Sequence, residues 1–293
     1  MHSEKQKTLR HMIILLCAVI LLCGALYTAS WYAERGRIQD RNEEYRQLYI
    51  PDDAPSDKPG TPLPTVADEP LPTPDADTLV FSLPTPPPVQ ASFTELIKLN
   101  AETIGFIRID DLIELPVVQR ENDNEFYLTH SFDRAEAAEG TLFLDGMNRL
   151  VPEDDCLIVY GHNMNNGTMF GLLDHYDESS FLKAHPLVQF DTIYENNTYV
   201  PFAVFPASMN PDSSGYFDVR QIAFSKEGFD LFVSRLKTRS VINIPVDAYY
   251  GDHLLLLVTC DYTKDDGRFI VALRRLRADE TRKDATDLVA KVR

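Results

Sequence analysis

The chain has 293 residues, of which 44% are hydrophobic, and a formal net charge of −17. This length allows one large domain or two small ones, and the hydrophobic content is sufficient for a buried core. The acidic balance argues against a nucleic-acid partner, because binding to a phosphate backbone requires basic patches.

The first predicted element is a membrane-spanning helix. Residues 12–29 form an uncharged run close to the minimum length for crossing a bilayer, and Trp31 and Tyr32 follow where interfacial aromatic residues are common. A cleaved signal peptide is the alternative, but the apolar run is long for one. We therefore predict a short tail over residues 1–11 and a transmembrane signal anchor over residues 12–32. Basic residues flank the span on both sides, so charge alone does not set its orientation.

A proline-rich acidic segment comes next. Twelve of the 19 prolines lie between Pro51 and Pro88, together with seven acidic residues and one lysine. Proline fixes φ and lacks an amide donor, so a regular helix or inner strand is excluded here. We predict that this stretch is extended and self-repelling, within a spacer over residues 33–91 that separates the anchor from the domain. On this reading, residues 1–50 can be removed and a domain starting near Ala91 still folds.

Residues 92–277 have the pattern of a mainly β domain. Short runs typical of strands occur at 104–109, 114–119, 140–146, 156–162, 187–207 (a hairpin), 254–260 and 268–276. About eight strands separated by loops indicate a sandwich or a closed barrel. Residues 278–293 are read as a charged tail, forming a short helix or staying loose, and are assigned no function.

Two helices are predicted within this domain. Ser92 and Glu95 have the spacing of a capping box, which predicts a helix starting at Ser92. Residues 225–238 have helical periodicity, with one apolar face made by Phe229, Phe232, Val233 and Leu236.

The candidate chemistry lies where two apolar runs end. Cys260 ends "LLLLVTC" and His162 ends "CLIVYGH", while Arg268 opens the run that follows the cysteine. A thiol attacks as its thiolate and needs a neighbouring base or cation. Parallel, adjacent strands would bring the histidine and the cysteine to one edge of the barrel, and Arg268 could then stabilise a developing oxyanion. By pattern alone, a surface histidine and an inert core cysteine remain the simpler interpretation.

Two further residues lie close to these candidates in the sequence. Cys156 lies six residues before His162, roughly 20 Å along the strand. A disulfide to Cys260 is then out of reach, and Cys156 is predicted to be a buried, apolar side chain. Asp261 directly follows Cys260 and could orient His162, but its "DYTKDDG" context favours an exposed turn residue.

Several of these stretches resemble class B sortases, in the same order along the chain. They are "ELPVVQRENDNEFYL", "GTLFLDGMN", "LIVYGHNMNNGTMFGLLDHY", "LLLLVTCDY" and "GRFIVALRR". The resemblance covers residues 93–275. It implies a closed eight-stranded barrel with an N-terminal helix and a second helix in the long loop before the cysteine strand, and a catalytic domain over residues 92–277.

The resemblance also implies an activity, that of a cell-surface cysteine transpeptidase of Gram-positive type. Cys260 would be the nucleophile, His162 the acid and base, and Arg268 the clamp for substrate and oxyanion. The implied partners are secreted proteins with a C-terminal sorting motif and an amine of a peptidoglycan precursor or a pilin. No cofactor or metal is implied. The N-terminus would lie in the cytoplasm and the catalytic domain outside a single-pass membrane anchor.

Two other classes of function are compatible with the sequence. One is a Cys–His hydrolase acting on cell-wall peptides, although such an enzyme has its cysteine at a helix N-terminus and Cys260 follows a strand-like run. The other is a membrane-tethered binding module with structural cysteines, in which a thiol would resist iodoacetamide until the fold opens.

Overall fold

A computed structural model describes residues 2–51, 84–261 and 267–293, without the side chains of residues 2–9, Cys260 and Asp261. Most of the predicted proline-rich spacer therefore lies outside the described residues. The chain divides into two compact units, of which the first ends at Glu44 and the second runs from Tyr45 to Arg293.

Helix α1 spans His2–Leu48 and contains the predicted anchor. From Arg10 onward it includes an 18-residue window of mean hydropathy 2.6, long and apolar enough to cross a membrane. The leucine and isoleucine side chains of this window are exposed. A lipid environment would remove that apolar surface from water, so the helix is compatible with a membrane anchor.

The second unit is a closed barrel of eight strands, as the sequence predicted. The strands are β1 (Thr103–Ile109), β2 (Ile113–Val118), β3 (Leu142–Leu144), β4 (Cys156–Gly161), β5 (Val188–Thr192), β6 (Thr198–Ser208), β7 (Leu254–Asp261) and β8 (Gly267–Arg275). Their order around the barrel is β1-β2-β3-β4-β7-β8-β6-β5. The predicted hairpin is formed by β5 and β6, which pair antiparallel.

The pairing of β4 with β7 explains the continuous apolar runs in both strands. The two strands are parallel neighbours, and residues 254–258 of β7 are at most 1% exposed. A strand covered on both faces has no polar face, so its sequence shows an unbroken apolar run in place of alternation. The run "LLLLV" is the result.

Helix α4, Lys226–Arg239, lies in the long connection between β6 and β7, as predicted. Ser225 caps its first turn by accepting a hydrogen bond from the amide of Gly228. The predicted apolar face is buried, and it consists of Phe229, Phe232, Val233 and Leu236. The helix packs against β6. Its stability therefore comes from this buried face more than from local propensity.

Replacing Phe232 by alanine should destabilise the barrel by about 3 kcal/mol, because it leaves a cavity in a packed aromatic cluster. The Phe232 ring lies 4.9 Å from that of Phe224 and 5.7 Å from that of Phe217, measured between centroids. Chemical denaturation measures the loss. Leu231→Ala is the control, since Leu231 lies on the same helix and is 61% exposed. Equal stability of the two variants would show that this helix face does not pack as described.

The predicted cap at Ser92 is wrong. Ser92 lies inside a 3₁₀ turn, Ala91–Phe93, and helix α2 begins only at Thr94 and ends at Leu99. No side chain caps the start of α2, and the buried Ser92 hydroxyl has no hydrogen-bond partner among the described residues. Burial of the neighbouring apolar side chains outweighs capping here. Phe93 and Leu96 are fully buried, and the 3₁₀ turn places both in the core.

The compact unit begins well before residue 92, with aromatic residues at the end of α1. Tyr45 and Tyr49 are both buried in a cluster that includes Phe93 and Phe106. The Tyr49 ring stacks on Phe106 at 4.3 Å between centroids. Its hydroxyl donates a hydrogen bond of 2.8 Å to the buried Asp191 carboxylate. The end of α1 is therefore part of the barrel's core.

The chain returns to the same strand after the proline-rich segment. The Gln90 amide donates to the carbonyl of Ile193 at 2.8 Å, and its side chain donates to the carbonyl of Thr192 at 2.7 Å. Tyr49 binds Asp191, so residues 49 and 90 attach at consecutive positions of β5 and its following turn. The spacer boundaries stay a prediction, but the described residues on both sides of that segment belong to one compact unit.

The C-terminal residues form a packed helix, α5, over Arg282–Val289. Thr281 and Asp284 make a reciprocal capping box. Ala285 and Val289 are fully buried. The charged composition of this tail concealed a narrow apolar face.

Candidate active site

The register of β4 and β7 places the two candidate catalytic residues side by side. Six parallel pairs run from Cys156 and Leu254 to Gly161 and Thr259. His162 and Cys260 are the next residues after the last pair. Neighbouring strands lie about 4.8 Å apart, so the backbones of His162 and Cys260 meet at one edge of the barrel.

Arg268 joins them from the third strand. In the antiparallel pairing of β7 with β8, Cys260 lies directly opposite Arg268. Cα atoms of directly opposed residues are about 4.5–5.5 Å apart. The position of the Cys260 side chain lies outside the described residues, so the assignment of the three residues as one site is carried by backbone register.

His162 is half-buried, and its ring is held by a main-chain carbonyl. Nε2 lies 2.7 Å from the carbonyl oxygen of Leu128. A carbonyl oxygen only accepts, so Nε2 carries a hydrogen in this contact. The main chain at His162 is also fixed, because its carbonyl accepts from the amide of Phe170 at 2.9 Å. The loop that follows β4 therefore returns to the histidine and is hydrogen-bonded to its main chain.

Gly161, directly before the histidine, is required by close packing. A Cβ at this position would lie 2.3 Å from Cδ2 of Leu142 and 2.7 Å from Cδ2 of Phe170. Both neighbours are buried and have little room to move. The glycine in "YGH" thus lets β3 and the loop after β4 approach the strand end that presents His162.

Arg268 is half-buried at the start of β8, and its guanidinium donates to the carbonyl of Gly267 at 2.7 Å. No carboxylate among the described residues forms an ion pair with it. A guanidinium has five N–H donors in a fixed planar arrangement. Among the described residues, the Gly267 carbonyl is the one hydrogen-bond acceptor of this guanidinium, so its other N–H groups can donate to a substrate carbonyl or an oxyanion.

Cys156 is at the other end of β4, as predicted. It pairs with Leu254 at the start of the parallel register, and its side chain is fully buried. Burial raises the pKa of the Cys156 thiol well above its usual range. Since the thiolate is the reactive form, this cysteine is an inert core residue.

Asp261 is not the turn residue that the sequence favoured. It is the last residue of β7 and pairs with Gly267. The prediction failed because "DYTKDDG" contains turn-forming residues immediately after a strand, and the strand pairing extends one residue further than the apolar pattern.

A polar cluster at the end of β4 was not predicted from the sequence. Tyr160, two residues before His162 in the chain, donates to the Asp145 carboxylate at 3.0 Å. The Asp145 side chain is buried and also accepts from Asn124 at 3.0 Å, with Arg220 3.5 Å away. Burial and this carboxylate raise the pKa of Tyr160. An aspartate after a strand was visible in "LFLDG", but nothing in the sequence indicated its partners.

Among the described residues, no group of three or more His, Cys, Asp or Glu side chains is arranged to hold a metal ion.

The relatives found by sequence and by structure are both sortase B proteins. No protein-family profile matches the chain. Sortase B of Listeria monocytogenes is 30% identical over 186 residues, which are 62% of this chain and 73% of the relative. The structure of a sortase B–substrate complex from Staphylococcus aureus is 26% identical and superposes with a TM-score of 0.57, covering 65% of this chain and 87% of that chain.

A crystal structure of sortase B from Bacillus anthracis shares the fold across more of the chain. It superposes with a TM-score of 0.64 at 22% identity, and the match covers 84% of this chain and 99% of that one. The fold described above is thus similar to this sortase B structure over nearly its full length.

Proposed function

We infer the chemistry of this chain from its family, because the chain belongs to the class B sortases and is a cysteine transpeptidase. We propose that Cys260 is its nucleophile, His162 its general acid and base, and Arg268 the clamp that binds the substrate carbonyl and stabilises the oxyanion. The observation that carries this assignment is the register of β4, β7 and β8, which brings the three backbones to one edge of the barrel.

In the first half-reaction, the Cys260 thiolate attacks the carbonyl carbon of the scissile peptide bond. The carbonyl electrons move onto oxygen, and Arg268 binds the resulting oxyanion. When the intermediate collapses, the C–N bond breaks, and His162 gives its proton to the leaving amine. The products are a thioester on Cys260 and a shortened C-terminal peptide. Splitting one amide exchange into two acyl transfers lowers each barrier.

In the second half-reaction, an acceptor amine attacks the thioester carbonyl. His162, now neutral, takes a proton from the attacking nitrogen as the new amide bond forms. The C–S bond breaks and Cys260 leaves as thiolate. The enzyme returns to its starting state with no net change in oxidation.

The proposed substrates follow from the family and from the N-terminal helix. The acyl donor is a secreted protein with a C-terminal sorting motif, and the acceptor is an amine of a peptidoglycan precursor or a pilin. Residues 12–32 anchor the enzyme as a single membrane span, with the tail inside the cell and the catalytic domain at the outer surface. This topology would place the catalytic domain on the side of the membrane where a secreted acyl donor and a cell-wall amine could both reach it.

The test is to incubate the detergent-solubilised full chain with a panel of sorting-motif peptides and amines and to identify products by mass spectrometry. The proposal predicts a ligated peptide whose new bond joins the acyl fragment to the amine, and no product with Cys260→Ala. Hydrolysed peptide without ligation would support a Cys–His hydrolase instead. A Cys260 thiol that resists iodoacetamide in the folded protein would support a binding module.

Arg268→Lys should lower kcat/KM on the order of 100-fold or more, comparable to losing an oxyanion-hole donor. An ammonium keeps the charge but lacks the planar fork that grips a carbonyl in fixed geometry. Steady-state ligation kinetics measure the effect. Arg149→Lys is the matched control, since Arg149 is paired with Asp154 and its side chain is 63% exposed. Equal activity of both variants would remove Arg268 from the site.

A further inference from the structure

The contact between His162 and Leu128 assigns roles to the two ring nitrogens. Nε2 donates to the Leu128 carbonyl across 2.7 Å, and a carbonyl accepts in either charge state of the ring. Nε2 therefore keeps its hydrogen whether the imidazole is neutral or charged. The nitrogen left to gain and lose a proton is Nδ1.

The position of the Leu128 carbonyl is fixed by the hydrogen bonds of the preceding residue, Tyr127. Leu128 ends a 3₁₀ turn, Phe126–Leu128, in which Tyr127 is 1% exposed. The Tyr127 hydroxyl accepts from the Asn100 side chain at 2.8 Å and donates to the Glu102 carboxylate at 2.5 Å. Two hydrogen bonds at a buried side chain fix the turn, and with it the carbonyl that follows.

Gly140 packs directly against the main chain of this turn. Gly140 has φ of +60°, and a Cβ there would lie 2.4 Å from the carbonyl oxygen of Tyr127 and 2.9 Å from that of Leu128. These are main-chain atoms that have no rotamer to adjust. The next residue, Thr141, donates its amide to the Tyr127 carbonyl at 2.9 Å. Gly140 is thus packed against the same carbonyl that binds His162.

We propose that the Leu128 carbonyl is the positioning group of His162, that it fixes the Nε2–H tautomer so that Nδ1 carries the transferred proton, and that Gly140 and Tyr127 hold this carbonyl in place. The proposal rests on the catalytic role proposed above for His162. In Ser–His–Asp enzymes a buried carboxylate orients the histidine and selects its tautomer. Here a main-chain oxygen performs both tasks without adding a charge.

The direct test is the ¹⁵N spectrum of His162 in the full chain, prepared with ring-labelled histidine and assigned by comparison with His162→Ala. The proposal predicts that the neutral ring is the Nε2–H tautomer. An Nδ1–H ring in the unmodified protein would overturn it. This reading does not depend on activity.

The second arm disturbs the carbonyl without touching His162. Gly140→Ala should shift the neutral ring toward a mixture of tautomers and lower kcat on the order of tenfold to 100-fold, as expected for impaired proton transfer, with KM nearly unchanged. Gly251→Ala is the matched control. Gly251 also has positive φ, +99°, but nothing lies within 4 Å of its Cβ position, so this variant tests backbone strain alone.

Tyr127→Phe provides the same test if Gly140→Ala does not fold. Removing the hydroxyl loosens the turn while keeping the ring in the core, and it should shift the tautomer population in the same direction with a smaller loss of kcat. A folded variant of either kind with an unchanged spectrum and unchanged kcat would contradict the positioning role. If His162 is Nε2–H but His162→Ala retains full turnover, the proposed function fails and the hydrogen bond stands.

Discussion

Replacing Cys260 by alanine abolishes both thioester formation and peptide ligation, whereas replacing Cys156 by alanine preserves them. These are the results we expect, because the two thiols differ in position along the same pair of strands. Cys260 lies at the edge where β4 and β7 end beside His162 and Arg268. Cys156 is fully buried at the opposite end, where burial keeps it protonated. Ligation assays with the two variants measure the difference.

Variants Cys260→Ser and His162→Ala test the roles of the thiol and the imidazole separately. A hydroxyl is far harder to ionise than a thiol, so the serine variant should be nearly as inactive as the alanine variant. His162→Ala should retain a thiol that reacts with iodoacetamide, yet fail in turnover because nothing protonates the leaving amine. Ligation by Cys260→Ala together with inactivity of Cys156→Ala would refute the assignment.

Removing residues 1–90 should prevent stable folding, which reverses the expectation from sequence that a domain starting near Ala91 folds. The truncation deletes Tyr45 and Tyr49, whose rings are buried in the cluster with Phe93 and Phe106. Losing a large buried aromatic side chain costs about 3 kcal/mol or more each, against a total of about 5–15 kcal/mol for a domain. The hydrogen bond from Tyr49 to Asp191 is lost as well, leaving a buried carboxylate with fewer partners.

Two matched variants separate this effect from simple shortening. A chain beginning at Asp40 keeps both tyrosines and should melt cooperatively at nearly the temperature of the full chain. A variant in which a short Gly–Ser linker replaces residues 52–83 should do the same, because Tyr49 and Gln90 both attach near the end of β5. A cooperative, equally stable melt for the chain beginning at Ala91 would show that the two tyrosines do not contribute to the core.

The strands could be predicted because they leave a direct signal in the sequence. That signal left a sandwich and a closed barrel open, and the resemblance to class B sortases implied the barrel. Strands buried on both faces, such as β4 and β7, appear as unbroken apolar runs, and the apolar face of α4 follows helical spacing. That β4 and β7 are parallel neighbours did not follow from these runs. The sequence offered it only as the condition under which His162 and Cys260 would meet, since strand order depends on contacts distant in sequence.

Other features could not be predicted, for identifiable physical reasons. Tyr45 lies in the last turns of a charged helix and Tyr49 directly follows that helix, in a stretch whose composition is typical of an exposed surface although both rings are buried. The Leu128 carbonyl that holds His162 is a main-chain atom, which any residue type would supply. The close approach of the Leu128 carbonyl requires a glycine at position 140, and this glycine is present in the sequence. A glycine after a charged run usually indicates only a turn, however.

The measurement that tests the central claim most directly is the mass of the enzyme during turnover. The full chain is mixed with a reactive sorting-motif peptide, quenched with acid and digested, and the acylated peptide is identified by mass spectrometry. We predict an acyl group on Cys260 that disappears when an acceptor amine is added before quenching. Ligated product formed without any adduct on Cys260, or an adduct on Cys156, would contradict the account.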